Sequence, residues 1–282
     1  MVLVISLKHY GENLIMKHNN LTENRLLYLK QKKRKKSIII TLQIGILVVF
    51  LCCWDVLAKF EIIDTFLMSS PKNIVLTIKE LLLSGDLFKH IFTTLYETVL
   101  GFLIATFLGT IIALILWWSE YLRDILEPYI VVINSLPKIA LGPIIIVWFG
   151  AGTKSIVFMA VIITLIVTII TMENGFLATD KNKILLLKSL GATKLQILKK
   201  LVLPASLKTF VSCLKINVGM AWIGSIMGEY LVSKQGIGYL IVYGGQVFKL
   251  DLVMSSTIIL CALAGIMYFL VVILEKLITK RR

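Results

Sequence analysis

Charged side chains are scarce in this sequence. They make up 16% of the 282 residues, against about a quarter in soluble domains. Hydrophobic residues reach 58% instead. Because so few polar groups are available to cover a surface in water, the composition indicates a polytopic membrane protein.

Groups that bind metals or attack covalent bonds are also few. The three histidines (His9, His18 and His90) are widely separated, and the four cysteines lie inside apolar runs. Cys52 and Cys53 are adjacent on a predicted helix, which disfavours a disulfide between them. We find no Ser/His/Asp arrangement, no paired carboxylates and no metal-ligand spacing. The sequence therefore predicts neither a metal site nor an enzyme.

A nucleotide-binding motif is missing as well. Gly150-Ala-Gly-Thr-Lys-Ser155 resembles the end of a phosphate-binding loop. That loop needs glycine directly before the lysine and another five residues earlier, where this chain has Thr153 and Trp148. We therefore expect no cofactor bound by this chain and no hydrolysis of ATP by it.

Apolar runs alternate with basic clusters along the chain. A span needs about 20 apolar residues to cross ~30 Å of hydrocarbon, and six segments qualify: residues 37–58, 94–118, 125–149, 155–173, 207–230 and 252–275. Twenty-one basic residues lie on the side of the N-terminus, and seven lie in the loops of the other side. By the positive-inside rule, both termini are cytoplasmic. The net charge of +14 then reports topology and does not indicate nucleic-acid binding.

These segments predict an all-α fold with six transmembrane helices. A basic cytoplasmic segment, residues 1–36, precedes a transmembrane domain, residues 37–282. The apolar start, Met1–Leu7, is too short and lacks the basic region of a secretory signal. Small residues recur every four positions in the second span (Gly101, Ala105, Gly109 and Ala113) and again in the fifth (Gly224 and Gly228), which predicts close helix contacts.

The segment from Lys183 to Pro204 is amphipathic. Its leucines recur at helical spacing with lysines between them, at Leu187, Leu190, Leu195, Leu198 and Leu201. Gly191 lets the chain turn between two short helices, and Pro204 is expected to close the segment because it lacks an N–H group. We predict a cytoplasmic helix–turn–helix that a soluble partner can reach. An interfacial helix on anionic lipid is the alternative.

This loop, residues 174–206, resembles the cytoplasmic coupling loop of binding-protein-dependent ABC-importer permeases. It keeps the family's glycine (Gly191), an apolar residue ten positions later (Leu201) and the Leu-Pro pair, but Leu185–Leu187 stand where the family has Glu-Ala-Ala. The resemblance implies a type I importer permease fold. It also implies that an ATPase docks on Lys188, Ser189, Leu190, Gly191, Ala192, Thr193, Leu201 and Pro204.

The likeness covers residues 66–278 and is greatest to the nitrate/sulfonate/taurine (bicarbonate) branch. It is carried by short matches in family order, at Phe66–Pro71, His90, Thr94, Gly101-Phe102, Leu136-Pro137, Trp148–Gly152, Lys215, Ala221-Trp222, Glu229 and Gly236–Gly238. The resemblance implies the permease subunit of an ATP-driven importer in the plasma membrane. Its partners would be an ABC ATPase that holds ATP and Mg²⁺, an extracytoplasmic substrate-binding protein, a second permease copy and membrane lipid. The solute would be a small anion such as a sulfonate or nitrate, or alternatively a vitamin precursor such as a thiamine pyrimidine.

Five residues are predicted to line the substrate pathway: Asn134, Lys138, Lys215, Trp222 and Glu229. Lys138 lies between Pro137 and Pro143, where a broken helix must line a cavity or pack in protein. It would face an anionic substrate, snorkel to an interface or pair with Glu127. Lys215 would neutralise a substrate, pair within the helix bundle or snorkel inward past Pro204. Glu229 would lie at an outer gate, pair with Lys234 or be a solvated helix end.

Two other classes of protein stay open on the sequence alone. An ion-coupled secondary transporter would use Glu97 or Glu229 as its proton site, but such folds have internal repeats, and none is apparent here. A membrane scaffold would use the basic loop to bind lipid or a cytosolic protein. Dependence of uptake on a separate ATPase distinguishes all three.

Overall fold

The computed structural model describes the backbone from Val2 to Thr279 and the side chains of residues 25–277, except Lys36, Ile40 and Leu47. Predictions on the side chains of Met1–Leu7 and on Arg281 and Arg282 lie outside that part of the chain. The described backbone forms helices and contains no strand. The α-helices are α1 (Val2–Lys59), α2 (Thr65–Met68), α3 (Pro71–Leu83), α4 (Asp86–Trp118), α5 (Glu120–Ser135), α6 (Gly142–Phe149), α7 (Thr153–Leu177), α8 (Lys181–Ser189), α9 (Lys194–Ile197), α10 (Leu203–Val232), α11 (Ile237–Gln246) and α12 (Leu250–Thr279).

The chain divides into two compact units, residues 1–64 and 65–282. The first consists of α1 and the turn after it, and its stretch Arg25–Lys59 has a mean hydropathy of 2.4, enough for a membrane span. Helix α1 continues without a break through residues 36 and 37. The predicted domain boundary at that point therefore coincides with no helix end and stays a prediction.

The core of the second unit consists of α4, α7 and α10, which pack on one another along their length. The small residues predicted to form contacts do so. A Cβ at Gly101 would lie 2.5 Å from the Ala160 Cβ, and one at Gly109 would lie 2.6 Å from the Thr168 Cβ. Gly224 lets α10 approach the backbone of α7 at Ala160 closely enough to leave no room for a Cβ. Close backbone approach at small residues is how membrane helices associate without a hydrophobic driving force between them.

A buried polar cluster joins the same three helices near their middle. The amide of Asn217 on α10 donates to the hydroxyls of Thr106 on α4 and Thr168 on α7, both at 2.9 Å. Asn217 and Thr168 are fully buried. The two hydrogen bonds fix the register of three helices at one level.

The third predicted span is bent. Among the described residues, five helices are long and apolar enough to cross a membrane, and a sixth crossing is possible only if α5 and the segment Lys138–Phe149 are taken together. These two segments meet at 87°. Pro137 and Pro143 flank a 3-10 turn, Lys138–Leu141, at the bend, as expected from residues that interrupt helical hydrogen bonding. The break predicted at these prolines is present, and the span 125–149 is not one straight helix.

The remaining elements divide between the two ends of the core. The C-terminal ends of α4 and α7 lie with α8, α9 and the start of α10, which we call the α8 end. At the other end, the α11 end, α11 packs on the start of α12 and on α10. Ser69 donates a hydrogen bond of 2.5 Å to Asp251 at the start of α12.

Candidate functional site

The predicted docking loop forms two short helices joined at Gly191. Helix α8 begins after Asp180, whose carboxylate accepts the N–H of Asn182 at 2.9 Å. It ends in a turn in which the N–H of Gly191 bonds the Lys188 carbonyl and that of Ala192 bonds the Leu187 carbonyl. Gly191 has a φ of +78°, the left-handed conformation that glycine adopts at no steric cost. The predicted helix–turn–helix is therefore present.

Helix α9 begins with a capping box. The Thr193 hydroxyl accepts the Gln196 N–H at 3.3 Å, and the Gln196 side chain accepts the Thr193 N–H at 2.8 Å. This reciprocal pair satisfies two N–H groups at the helix start. The capping box fixes the direction of the chain immediately after the turn at Gly191.

Pro204 does not close this segment as predicted. A π-helical turn, Leu198–Val202, joins α9 to α10, and Pro204 lies in the first turn of α10. The wider turn, in which the Leu203 N–H bonds the Leu198 carbonyl, accommodates a proline without ending the helix because the first turn needs no N–H from it. Residues 194–232 consequently form one nearly continuous rod.

The leucines of the loop fall into two groups. Leu187 and Leu198 pack against the buried cluster around Ile197 and Val202, as an amphipathic helix should. Leu190, however, is 74% exposed. Two of the leucines that replace the family's Glu-Ala-Ala are also exposed, Leu185 at 63% and Leu186 at 60%. We call these three exposed residues the leucine patch.

A basic cavity is lined by other residues of α8. It measures about 600 Å³ and lies between α8, α9 and the ends of α4, α5 and α7. Its lining includes the cationic side chains Arg123, Lys181, Lys188 and Lys194. The Lys194 ammonium donates to the Trp118 carbonyl at 2.5 Å and lies 5.8 Å from the centre of the Trp117 ring. This contact ties α9 to the end of α4.

The predicted pathway residues do not form one site in the single chain. Asn134 and Lys138 lie together at the bend, where the Lys138 ammonium donates to the Asn134 carbonyl at 3.0 Å and approaches its side-chain oxygen at 3.4 Å. Asn134 is exposed and Lys138 is half-buried, and this arrangement replaces the predicted alternative pairing with Glu127. Lys215 instead pairs with Glu275 of α12 at 2.6 Å. Among the predicted pathway residues, Asn134 and Lys138 thus contact each other, whereas Lys215 contacts α12.

Trp222 and Glu229 are buried within the bundle. Trp222 is 4% exposed and packs with Phe102, Val218 and Met267. Glu229 accepts the N–H groups of Gly238 and Tyr239 at the start of α11, so it neither ends in solvent nor pairs with Lys234. Both residues therefore hold helices together in this conformation.

Sequence reasoning missed one arrangement entirely. No paired carboxylates were found along the chain, yet α4 and α10 bring Glu97 and Glu229 together, 132 residues apart in sequence and each 1% exposed. No spacing rule relates residues on separate helices. The signal that was available is an acidic residue in each of two apolar spans.

The helices of spanning length define a multi-pass membrane protein, and comparison with known proteins gives its family. Residues 105–282 match the family of binding-protein-dependent transport system inner membrane components, and the chain belongs to this family. It is 28% identical over 234 residues to a putative aliphatic sulfonates transport permease protein, SsuC, of Bacillus subtilis (strain 168), covering 83% of this chain and 85% of that protein. It is 32% identical over 187 residues to the formylaminopyrimidine transport permease protein ThiX of Halalkalibacterium halodurans (strain ATCC BAA-125 / DSM 18197 / FERM 7344 / JCM 9153 / C-125), covering 66% and 74%.

A solved structure supports the fold. The crystal structure of an amino acid ABC transporter with histidines aligns with a TM-score of 0.57, at 18% identity, over 73% of this chain and 98% of that one. The predicted type I importer permease fold is confirmed. The protein is a multi-pass membrane permease of an ABC importer, and it is a transport subunit whose ATPase and substrate-binding protein are separate proteins. The ion-coupled alternative is not favoured.

Proposed function

We propose that this permease imports a small solute across the plasma membrane as a homodimer, with its termini and the α8 end in the cytoplasm. An ATPase docks on the leucine patch, and its closure drives the bundle between two conformations. The single observation that carries the proposal is the exposure of Leu185, Leu186 and Leu190 on a short helix surrounded by basic residues.

The leucine patch specifies the chemistry of its partner. Three neighbouring leucines exposed to water at 60–74% are costly unless they become covered. Lys183 and Lys188 flank them, also exposed. The complementary surface is an apolar groove with acidic groups at its rim, and it differs from a groove built to receive the carboxylate of Glu-Ala-Ala.

The orientation follows from the distribution of charge. In the predicted topology, twenty-one basic residues lie on the side of the α8 end and seven lie on the side of the α11 end. The positive-inside rule assigns the α8 end to the cytoplasm, where the ATPase is.

A second copy and lipid are the proposed partners within the membrane. Around the bend between α5 and α6, Tyr129, Val132, Val147 and Trp148 are 59–83% exposed. Such an apolar surface suits hydrocarbon or an identical chain, and two copies facing each other at the bend enclose a path beside Lys138.

A partly exposed ammonium group at the bend supports an anionic solute. Lys138 keeps its charge accessible while its hydrogen bonds to Asn134 hold it in place. The relative named for aliphatic sulfonates agrees with this choice. A pyrimidine precursor is the second candidate because the relative named for formylaminopyrimidine is 32% identical.

Replacement of Gly191 tests the docking site. Its φ of +78° is costly for a side chain with a Cβ, by ~1–2 kcal/mol, except for asparagine, which tolerates this region. A Cβ there meets no atom within 4 Å, so any effect comes from backbone strain or from the partner. We expect Gly191→Val to insert in the membrane but to lose the co-purifying ATPase and uptake, and Gly191→Asn to retain much of both.

The same variant also distinguishes an ATPase docking site from an interfacial helix that lies on anionic lipid. Recovery of the ATPase in equal amounts with Gly191→Val and wild type would contradict docking at this turn. Retention of the loop on anionic vesicles, without any ATPase recovered in mild detergent, would support the interfacial helix instead.

Replacement of Lys138 tests the solute. With Lys138→Gln we expect uptake of a short alkyl sulfonate to fall about tenfold, the loss expected when one ion pair of ~1.4 kcal/mol is removed. Uptake of a neutral pyrimidine should change little. If the wild-type permease takes up the pyrimidine but not the sulfonate, the second candidate is the solute.

A further inference from the structure

Two glutamates lie side by side within the α11 end of the core. Glu97 on α4 and Glu229 on α10 are each 1% exposed, and each carboxyl group lies close enough to the other to be affected by its charge. Among the residues that the structure describes, neither glutamate takes part in a salt bridge. Two neighbouring buried carboxyl groups cannot both be ionised without a cation or a proton between them.

The hydrogen-bond partners of the two carboxyls are unequal. The Glu229 Oε2 accepts the N–H of Gly238 at 2.6 Å and of Tyr239 at 3.3 Å. The Glu229 Oε1 and both carboxyl oxygens of Glu97 are buried without a hydrogen-bond partner. Donation by two N–H groups stabilises an ionised Glu229, whereas no hydrogen bond of ordinary geometry stabilises a negative charge on Glu97.

The described residues around the pair supply no balancing cation. Thr153 from α7 lies beside the Glu97 carboxyl but makes no hydrogen bond of ordinary geometry with it. The other titratable neighbours are His90 on α4, Tyr230 on α10 and Tyr239 on α11. The Nδ1 of His90 accepts the Gly236 N–H at 2.9 Å, so this nitrogen carries no proton.

We propose that this pair is a proton-binding site: Glu97 is protonated and donates its O–H to the Glu229 Oε1, and the bound proton fastens α11 to the core. One O–H group satisfies two of the three unpartnered oxygens at once. The third, on Glu97, is left to accept from the neighbouring Thr153 hydroxyl. The single remaining negative charge lies on Glu229 at the N-terminus of α11, where the helix dipole favours an anion.

The loop before α11 is fitted to this carboxylate. A Cβ at Gly238 would lie 2.8 Å from the Glu229 Oε2, and a Cβ at Gly236 would overlap the same carboxyl group. Thr94, on the helix face of Glu97, accepts the Ile237 N–H at 2.7 Å. The first N–H groups of α11 are thus satisfied by side chains of α4 and α10, so a second charge on the pair would release them together.

The site is tested on purified full-length permease in lipid nanodiscs, without transport. Infrared spectra in H₂O and D₂O should show the carbonyl stretch of one buried, protonated carboxylic acid at neutral pH. That band should vanish in Glu97→Gln and persist in the control Glu173→Gln, a partly buried glutamate on α7. Its persistence at full intensity in Glu97→Gln would overturn the assignment of the proton.

Hydrogen exchange at the Gly238 and Tyr239 amides tests the fastening of α11. In Glu97→Gln, whose amide also donates, we expect exchange within about threefold of wild type at neutral pH because one donor replaces another. Once the pH dependence of the intrinsic exchange rate is corrected for, raising the pH should speed exchange in wild type by at least about tenfold, since both carboxyls then ionise. The same change of pH should leave exchange in Glu97→Gln unaffected.

Two results would overturn the proposal. One is equal protection of these amides in wild type at neutral and alkaline pH, and the other is protection that depends on Na⁺ at constant pH, which would make the ligand a metal cation. Because neither readout uses an ATPase or a solute, failure of the proposed import function would not affect them.

Discussion

Replacing Leu190 with alanine is expected to weaken binding of the ATPase about tenfold. Complete burial of a leucine side chain stabilises a complex by ~1.5–3 kcal/mol, and Leu190 is 74% exposed in the free permease. Covering that fraction contributes ~1–2 kcal/mol, and 1.4 kcal/mol corresponds to about tenfold in affinity. Adding Leu186→Ala, at 60% exposure, should bring the loss to at most about a hundredfold, less if the two residues share one pocket.

The assay is titration of purified ATPase onto permease in nanodiscs, with the dissociation constant as the readout. Leu83→Ala is the matched control because Leu83, at the end of α3, is 78% exposed but lies at the α11 end. The control should bind the ATPase as wild type does. Equal affinities of Leu190→Ala and wild type would refute docking on the leucine patch, since truncation of a buried anchor must cost affinity.

Three further changes test the packing of the bundle, with thermal unfolding in detergent as the common measurement. Gly224→Ala should destabilise the fold by ~1–3 kcal/mol because its Cβ overlaps the α7 backbone. Gly219→Ala on the same helix, where a Cβ meets no atom within 4 Å, should leave the stability unchanged. Equal unfolding midpoints of the two variants would contradict the close approach of α10 to α7. Asn217→Leu should cost ~1–2 kcal/mol through loss of two hydrogen bonds, and an unchanged midpoint would show that the polar cluster is not stabilising. Lys215→Glu and Glu275→Lys should each lower the midpoint and the double swap should restore part of it; additive losses would contradict the ion pair.

The sequence predicts the membrane spans well because their length and composition are set by the bilayer itself. Residues 94–118, 155–173, 207–230 and 252–275 each lie within a single observed helix of spanning length. The bend in the third span lies at Pro137 and Pro143, two nearby prolines that interrupt helical hydrogen bonding. Such local rules need no knowledge of neighbouring helices.

Features that depend on neighbouring helices could not be predicted. Pro204 was expected to end a helix, but a π-helical turn supplied by the preceding residues absorbs it. Trp222 was placed in a solute path, yet α4 and α12 cover it in this conformation. The contact between Glu97 and Glu229 depends on how α4 and α10 are rotated, which periodicity alone does not determine.

The docking loop contains one feature that local rules predict and one that depends on neighbouring helices. Gly191 was predicted to form the turn because a left-handed residue there favours glycine. The regular leucine spacing did not reveal that Leu187 packs inward while Leu190 stays exposed. That difference depends on where the loop rests against the ends of α4 and α7, and it decides which leucines are available to a partner.

The most direct test of the account is solute accumulation in proteoliposomes that contain the permease, with the ATPase and the substrate-binding protein added separately. We expect accumulation only when the ATPase and ATP are present on the side of the α8 end, and none with Gly191→Val. Accumulation driven by a proton or sodium gradient without the ATPase would contradict it.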